Sequence, residues 1–378
     1  MNEYDSIVEA ATGDRYRPGN QLTILQDGGE IFPAMLEAIR AAEVSIEFVT
    51  YVYWHSATAT QFADALAERA RAGVRVRLLI DAIGGAIMSS RTVWQLERAG
   101  VTVAWFRPAM LRNLGKLNRR THRKILIVDG QIGFTGGVGI ADQWATQVKD
   151  AGNWRETHCR ISGPACADLY DSFAQNWTEA ARGRLAHRPP SPAAGDVAIL
   201  TTSSTQRRGG SMIENLVFAA IDAAKTQLWI TTAYFVPSDV LIDKLVAAAG
   251  RGVDVRLLTN GPRTNHRFTR HAGRACYEPL LAGGVKLYEY QPRVLHTKLI
   301  TVDGAWATLG STNLDARSLV INDELNVSFS DVTIIAQLNA TFERDLADAQ
   351  QITRGDWAKL SGTERFLQGV VKVFRAQL

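Results

Sequence analysis

The chain has 378 residues, 46% hydrophobic and 21% charged, proportions of an ordinary soluble globular protein that exclude wholesale disorder and a long coiled coil. Its 42 basic and 38 acidic residues leave a formal net charge of +4, too mild to argue by itself for a polyanion such as nucleic acid. The length suits two domains or one internally duplicated body better than a single small core.

Residues 1–19 read as an N-terminal extension without the basic start and continuous apolar core of a signal peptide. No apolar run elsewhere approaches the roughly 18 to 20 residues that a spanning helix needs, so membrane contact is expected to be peripheral. Cys159, Cys166 and Cys276 form no C-x-x-C spacing, and packed thiols in a reduced, cytoplasmic compartment are expected.

The first half is taken as residues 20–185. AMLEAIRAAEVSIEFVTYVYW predicts a helix and then a strand, ALAERARAGVRVRLLID a helix capped at Gly73 and a buried strand, and QLERAGVTVAWF another such pair. Segment 108–124 follows, with Met110, Leu111, Leu114 and Leu117 among Arg112, Lys116, Arg119 and Arg120. That mixture suits either a lip on anionic headgroups or a solvated basic loop.

HRKILIVDG then places His122, Lys124 and Asp129 in the pattern H-x-K-x-x-x-x-D. On an extended chain residues two apart share a face, so the imidazole and the ammonium project together. The apolar run Ile125 to Val128 enters the core, and Asp129 at the turn beyond, although counted with the motif's catalytic set, suits anchoring. The small-residue loop GFTGGVGIAD brings Gly136, Gly137 and Gly139, whose backbone could approach a phosphate closely. Glu156 follows in WRETH.

Pro189, Pro190 and Pro192, with Gly183 and Gly195, mark a linker assigned to residues 186–197. The second half, residues 198–350, repeats the order of elements: IENLVFAAIDAAKTQLWITTAYFVP, KLVAAAGRGVDVRLLTN with Gly252 at the cap, and PLLAGGVKLYEY. In this alignment Thr50 and Tyr51 face Ala233 and Tyr234. Each half is therefore expected to be an α/β unit around a mixed, largely parallel sheet.

HTKLITVDG supplies the second motif, His296, Lys298 and Asp303, and TLGSTNLDARS a second small-residue loop with Ser311 and Asn313. A lone histidine on a strand is most often structural; two matched constellations argue for chemistry. Residues 351–378 form a tail, with Phe366, Leu367, Val370, Val371, Val373 and Phe374 among Arg365, Lys372 and Arg375, suited either to packing on the body or to a membrane surface.

The two motifs resemble those of the phospholipase D superfamily, and the string GSTNLDARSLVINDELNV is similar to its bacterial cardiolipin synthase branch, over roughly residues 20–350. The resemblance implies two α/β/α sandwich halves whose motifs meet in one cleft. It implies a covalent phosphohistidine, with His122 as nucleophile, His296 as acid and base, and Lys124 and Lys298 on the nonbridging oxygens. Ser311 and Asn313 would add hydrogen bonds, and Glu156 and Glu324 would fix the imidazole tautomers. No metal or other cofactor is called for. Gly139 departs from the pattern, since cardiolipin synthases usually carry asparagine there.

Substrate contacts are expected at Gly137, Gly139, Tyr234 and His271, with His266, Arg267, Arg270 and Arg274 available for a second phosphate, and with Trp54 and His55 near the rim. The expected partners are an anionic membrane surface, at the inner face of the cell membrane, and phosphatidylglycerol with phosphatidylethanolamine as a further candidate. Phosphatidyl transfer making cardiolipin is the leading expectation. A hydrolytic phospholipase D, a phosphodiesterase nuclease and a noncatalytic lipid-binding scaffold are the alternatives, and the near balance of charge gives little support to nucleic acid.

Overall fold

The computed structural model describes residues 2–109, 118–145, 153–181, 183, 185, 191–204 and 211–358. Segment 110–117, the core of the basic and apolar stretch before the first motif, lies outside them, as do linker residues 186–190 and tail residues 359–378.

The first part of the chain runs α1 (Glu3–Thr12), β1 (Arg17–Gln26), α2 (Asp27–Ala41), β2 (Ser45–Thr50), α3 (Ala57–Arg71), β3 (Arg75–Asp81), α4 (Ser90–Arg98), β4 (Thr102–Phe106), β5 (Ile125–Val128), β6 (Ile132–Gly136), β7 (Thr157–Ser162) and α5 (Cys166–Ala181). The second continues with β8 (Val197–Ser203), α6 (Met212–Ala223), β9 (Gln227–Thr231), β10 (Phe235–Val236), α7 (Asp239–Gly250), β11 (Asp254–Asn260), α8 (Arg267–Arg274), α9 (Tyr277–Ala282) and β12 (Lys286–Tyr290). It ends in β13 (Leu299–Val302), β14 (Trp306–Gly310), β15 (Leu314–Asp315), β16 (Leu325–Phe329), α10 (Val332–Ala347), β17 (Ala349–Ile352) and α11 (Arg354–Ala358).

Fifteen strands form one sheet in the order β17-β12-β11-β9-β13-β14-β16-β8-β1-β7-β6-β5-β2-β3-β4. The two arms mirror each other about the antiparallel seam between β1 and β8. The expected duplicated α/β architecture is thus present. The expectation of largely parallel sheets needs correction: pairing is parallel between β2, β3 and β4, and between β9, β11 and β12, while the rest of each arm is antiparallel. After β4 the chain crosses back to enter β5 beside β2, and the hairpin that follows can only run antiparallel.

Register corrects the internal alignment as well. Tyr53 bridges Ile140 as Phe235 pairs with Leu314, and Thr50 Oγ1 donates to Val52 O as Thr232 Oγ1 donates to Tyr234 O, both at 2.9 Å. Thr50 therefore matches Thr232, and Val52 matches Tyr234, one residue away from the sequence alignment. A run of alternating apolar and aromatic residues tolerates such a slip.

Three large apolar clusters hold the body together. One underlies α2, α3 and α4, a second underlies α6, α7 and α9, and a third is shared by both arms, with Phe173 and Trp177 of α5 in the same core as Ile335 and Leu338 of α10. Helix α1, capped by Asn2 and Asp5, lies on the second arm: Val8 and Tyr16 join its core, Trp306 Nε1 donates to the Tyr16 hydroxyl at 2.8 Å, and the Tyr4 hydroxyl donates to Asp303 at 2.6 Å. No helix among the described residues is long and apolar enough to cross a membrane.

Candidate active site

Each motif histidine stands just ahead of a central strand, His122 before β5 and His296 before β13, and each is pinned by the opposite half. Thr121 makes a parallel bridge with Asp323, and Arg155 with Leu295. His122 N donates to Asp323 O at 2.8 Å, and His296 N donates to Arg155 O at 2.7 Å.

The residue after each of these partners is a fully buried glutamate. Glu324 lies 2.9 and 3.0 Å from His122 Nδ1, and Glu156 lies 2.7 Å from His296 Nδ1. With Nδ1–H directed at a carboxylate, each imidazole turns Nε2 to the cavity, where it is a nucleophile or base when bare and an acid when protonated. Ser311 is part of this arrangement, since its hydroxyl donates to Glu324 Oε2 at 2.5 Å.

The lysines lie beside the rings. Lys124 Nζ donates to His122 O at 2.7 Å; Lys298 Nζ donates to His296 O and sits 3.0 Å from His296 Nδ1. Burial pushes Lys124 down to about 7 and Lys298 to about 8, against the pull of the two glutamates. Burial also lowers His122, opposed by Glu324, and together with Lys298 and Lys124 it holds His296 well below the usual imidazole range. Burial raises Glu156 to about 7, although Lys298 counters it. The same burial acts on Glu324, but His122, Lys124 and Ser311 outweigh it and leave that carboxyl below its ordinary value.

Both lysines must be protonated to receive a phosphodiester anion. As pH rises through about 7 and about 8 the free protein loses these charges, so kcat/KM is expected to fall on the alkaline side, by about tenfold per pH unit for each lost proton. Lys124→Arg, which stays charged, should move that fall to higher pH in a kcat/KM profile.

Both imidazoles open into one cavity of about 310 Å³. His122, Lys124, His296, Gly139, Tyr234 and Asn313 line it, with the Asn313 side-chain oxygen buried and unpartnered among the described residues. Tyr51 stands edge-on to His122 at 5.2 Å between centroids, and Trp144 and Trp154 lie 5.4 and 5.1 Å from His296.

Five expected positions need correction. Gly137 serves the carboxylate, because a Cβ there would lie 2.5 Å from Glu156 Oε2. His271 is turned away along α8, and His266 and Thr269 face the cavity instead. Arg270 and Arg274 both pair with buried Glu289, at 2.6 and 2.5 Å, and so are committed within the fold. His55 is exposed and does not line the cleft, whereas Trp54 does.

A family model described as the cardiolipin synthase, PLD-like domain matches residues 35–177 and 217–346. The chain belongs to this family. Among its curated relatives, the probable cardiolipin synthase YwiE of Bacillus subtilis is 32% identical over 95% of this chain and 72% of its own length. The cardiolipin synthase of Geobacillus kaustophilus is 36% identical over 88% of this chain and 67% of its own. Phosphatidylserine synthase of Haemophilus influenzae superposes over 100% of both chains with a TM-score of 0.74 at 13% identity, a likeness of fold.

Within this cardiolipin synthase fold the motif aspartates stand at the far end of their strands from the histidines. Asp129 and Asp303 are therefore corrected from catalytic residues to anchors. Each occupies the first position of an Asp-Gly turn at φ 53°, followed by Gly130 at 69° or Gly304 at 62°. Asp129 accepts the backbone N–H groups of Glu43, Val44 and Ser45 at 2.7–2.9 Å, and Asp303 those of Lys225, Thr226 and Gln227 at 2.6–2.8 Å. They lock the motif strands to β2 and β9.

At Gly139, where the resemblance implied an asparagine, there is no room for a side chain: a Cβ there would meet Val52 Cβ at 2.7 Å and the Trp144 ring at 3.0 Å. An indole wall against His296 takes the place of a polar side chain. Arg155 was also missed by sequence reasoning. It pairs with Asp27 and Asp345 at 3.1 Å while its carbonyl holds His296, a long-range arrangement with no local signature.

Proposed function

We propose that this protein is a cardiolipin synthase that moves a phosphatidyl group from phosphatidylglycerol to the hydroxyl of a second phospholipid. The observation that carries the reading is the pair of imidazoles in one cavity, each with its Nδ1 fixed by a carboxylate from the other half. His122 Nε2 attacks phosphorus as the bond to the glycerol oxygen breaks, and His296, which enters this step protonated on Nε2, gives that proton to the leaving oxygen and becomes neutral. His296 then removes a proton from the incoming hydroxyl, whose oxygen displaces His122 and forms the new phosphodiester.

Lys124, Lys298 and Asn313 hold the nonbridging oxygens as charge gathers on them. The assignment of His122 as nucleophile is supported by its ionised partner, Glu324, since a carboxylate held anionic increases the basicity of the ring beside it. Glu156, raised towards neutrality next to Lys298, gives His296 weaker support of that kind.

The acceptor is phosphatidylglycerol or phosphatidylethanolamine, and the protein works at an anionic membrane surface on the cytoplasmic side. Exposed Phe268 and Val320 support the membrane contact, because each lies between residues that line the cavity, and exposed Ile83 stands next to Gly84, whose carbonyl accepts from Trp54 Nε1 of the cavity wall, with exposed Arg91 and Arg267 close by in sequence. Apolar groups dipping among headgroups beside cations are the expected chemistry of such a surface.

The deciding experiment incubates the purified protein with vesicles of labelled phosphatidylglycerol, with and without phosphatidylethanolamine. Labelled cardiolipin is expected; phosphatidic acid alone would make the protein a hydrolase, and cleavage of DNA or RNA alone would remove lipid from the reading. In the same vesicles Ile83→Asp with Phe268→Asp is expected to reduce co-sedimentation about tenfold or more, given the area of apolar surface withdrawn from lipid.

A further inference from the structure

One carboxylate in the cavity has no part in the chemistry above. Asp315, the second residue of β15, is 4% exposed and lines the cleft beside Tyr234, His266, Thr269 and Ser318. Its Oδ1 accepts the backbone N–H of Ser318 at 2.7 Å, and the Ser318 side chain lies within hydrogen-bonding reach of the same carboxyl. The nearby Arg317 spends its guanidinium on Asn118, at 2.8 and 2.9 Å.

A buried carboxylate that lines a substrate cavity can accept from a donor that arrives with a ligand. The phosphodiester is not that ligand, because a carboxylate repels its oxygens, and two lysines already serve them. With phosphatidylglycerol as the phosphatidyl donor in the reading above, the group of that donor lipid able to donate here is the hydroxyl of its headgroup.

The feature is one-sided. By strand register Leu314 matches Ile140, so Asp315 matches Ala141, a fully buried residue with nothing to offer a hydroxyl. The second half alone therefore carries a headgroup acceptor, on the side of Tyr234 and His266. Burial raises the Asp315 carboxyl to about 7, which leaves it able to accept from hydroxyls.

We propose that Asp315 is a specificity-determining residue that binds the free hydroxyls of a glycerol headgroup, selecting phosphatidylglycerol over phosphodiesters whose headgroup lacks them. The proposal rests on the phosphatidyl-transfer reading of the same cavity. A site that hydrogen-bonds a substrate hydroxyl discriminates strongly against analogues without one, because its own polar group is then stranded.

The test compares kcat/KM for headgroup release from phosphatidylglycerol and from phosphatidylpropanol in identical mixed micelles, for the wild type, Asp315→Ala and Asp315→Asn. Alanine already fills the matching place in the first half, and asparagine keeps an oxygen for the Ser318 N–H, so both variants should fold. The wild type is expected to prefer phosphatidylglycerol, and Asp315→Ala to lose about 10- to 100-fold on that lipid with phosphatidylpropanol unaffected. Asp315→Asn should lose much of the same preference.

No preference in the wild type, a preference kept by both variants, or an equal loss on both lipids would overturn the proposal. The last result would mark Asp315 as a cap for the Ser318 turn. Headgroup release is read whether water or lipid takes the phosphatidyl group, so a protein that only hydrolyses would refute the synthase reading while the Asp315 preference stayed measurable.

Discussion

His122→Ala is expected to reduce phosphatidyl transfer by about 10,000-fold or more, and His296→Ala to do so to a similar extent, as when members of one catalytic unit are removed singly. Both rings line the same cavity, and the reaction needs an attacking nitrogen and a proton donor at once. Since in the proposed mechanism the two act together on one phosphorus, His122→Ala with His296→Ala should be scarcely worse than either single change. An independent site in each half would instead leave roughly half the activity in each single variant.

The second large effect should come from the carboxylates. Glu324→Gln and Glu156→Gln preserve shape but remove the charge that orients each imidazole, and losses of about 100- to 10,000-fold in kcat are expected, with KM little changed. Glu324→Gln should be the more damaging, because Glu324 is the ionised partner of His122 and also receives the Ser311 hydroxyl. Each glutamate serves the histidine of the opposite half, so either change, made in one arm, disables the motif of the other. Circular dichroism and thermal melting of the variants separate this loss from a failure to fold.

Much of this arrangement was legible in the sequence because it is local. The apolar runs Ile125 to Val128 and Leu299 to Val302 marked buried strands, the two-residue spacing of histidine and lysine put both on one side, and the Asp-Gly pairs marked turns. The family resemblance, together with the need of each imidazole for an acceptor, pointed to Glu156 and Glu324, and the structure brings both to the rings.

What escaped depends on contacts between distant segments. That Glu324 would meet His122 and Glu156 would meet His296 follows from two bridges across the halves, Thr121 with Asp323 and Arg155 with Leu295. His271 was favoured over His266 because five basic and imidazole residues crowd 266–274, and only the placement of α8 decides which face the cavity. Arg270 and Arg274 could be known as structural only once Glu289 of β12 lay beneath them. Trp144 and Trp154 carried no signal beyond their size, and the space left by Gly139 explains why an indole reaches His296.

In the proposed mechanism the two motifs form one site, in which His122 carries the phosphatidyl group and His296 moves the proton. This mechanism is tested most directly by mixing the wild-type protein with labelled phosphatidylglycerol, quenching within a turnover, and mapping the labelled peptide by mass spectrometry under conditions that preserve phosphoramidates. The expected result is label on the peptide containing His122, and none in a parallel experiment with His122→Ala. Label on the His296 peptide of the His122→Ala variant would reverse the roles, and cardiolipin formed by the wild type with no labelled histidine at any time would contradict the covalent route.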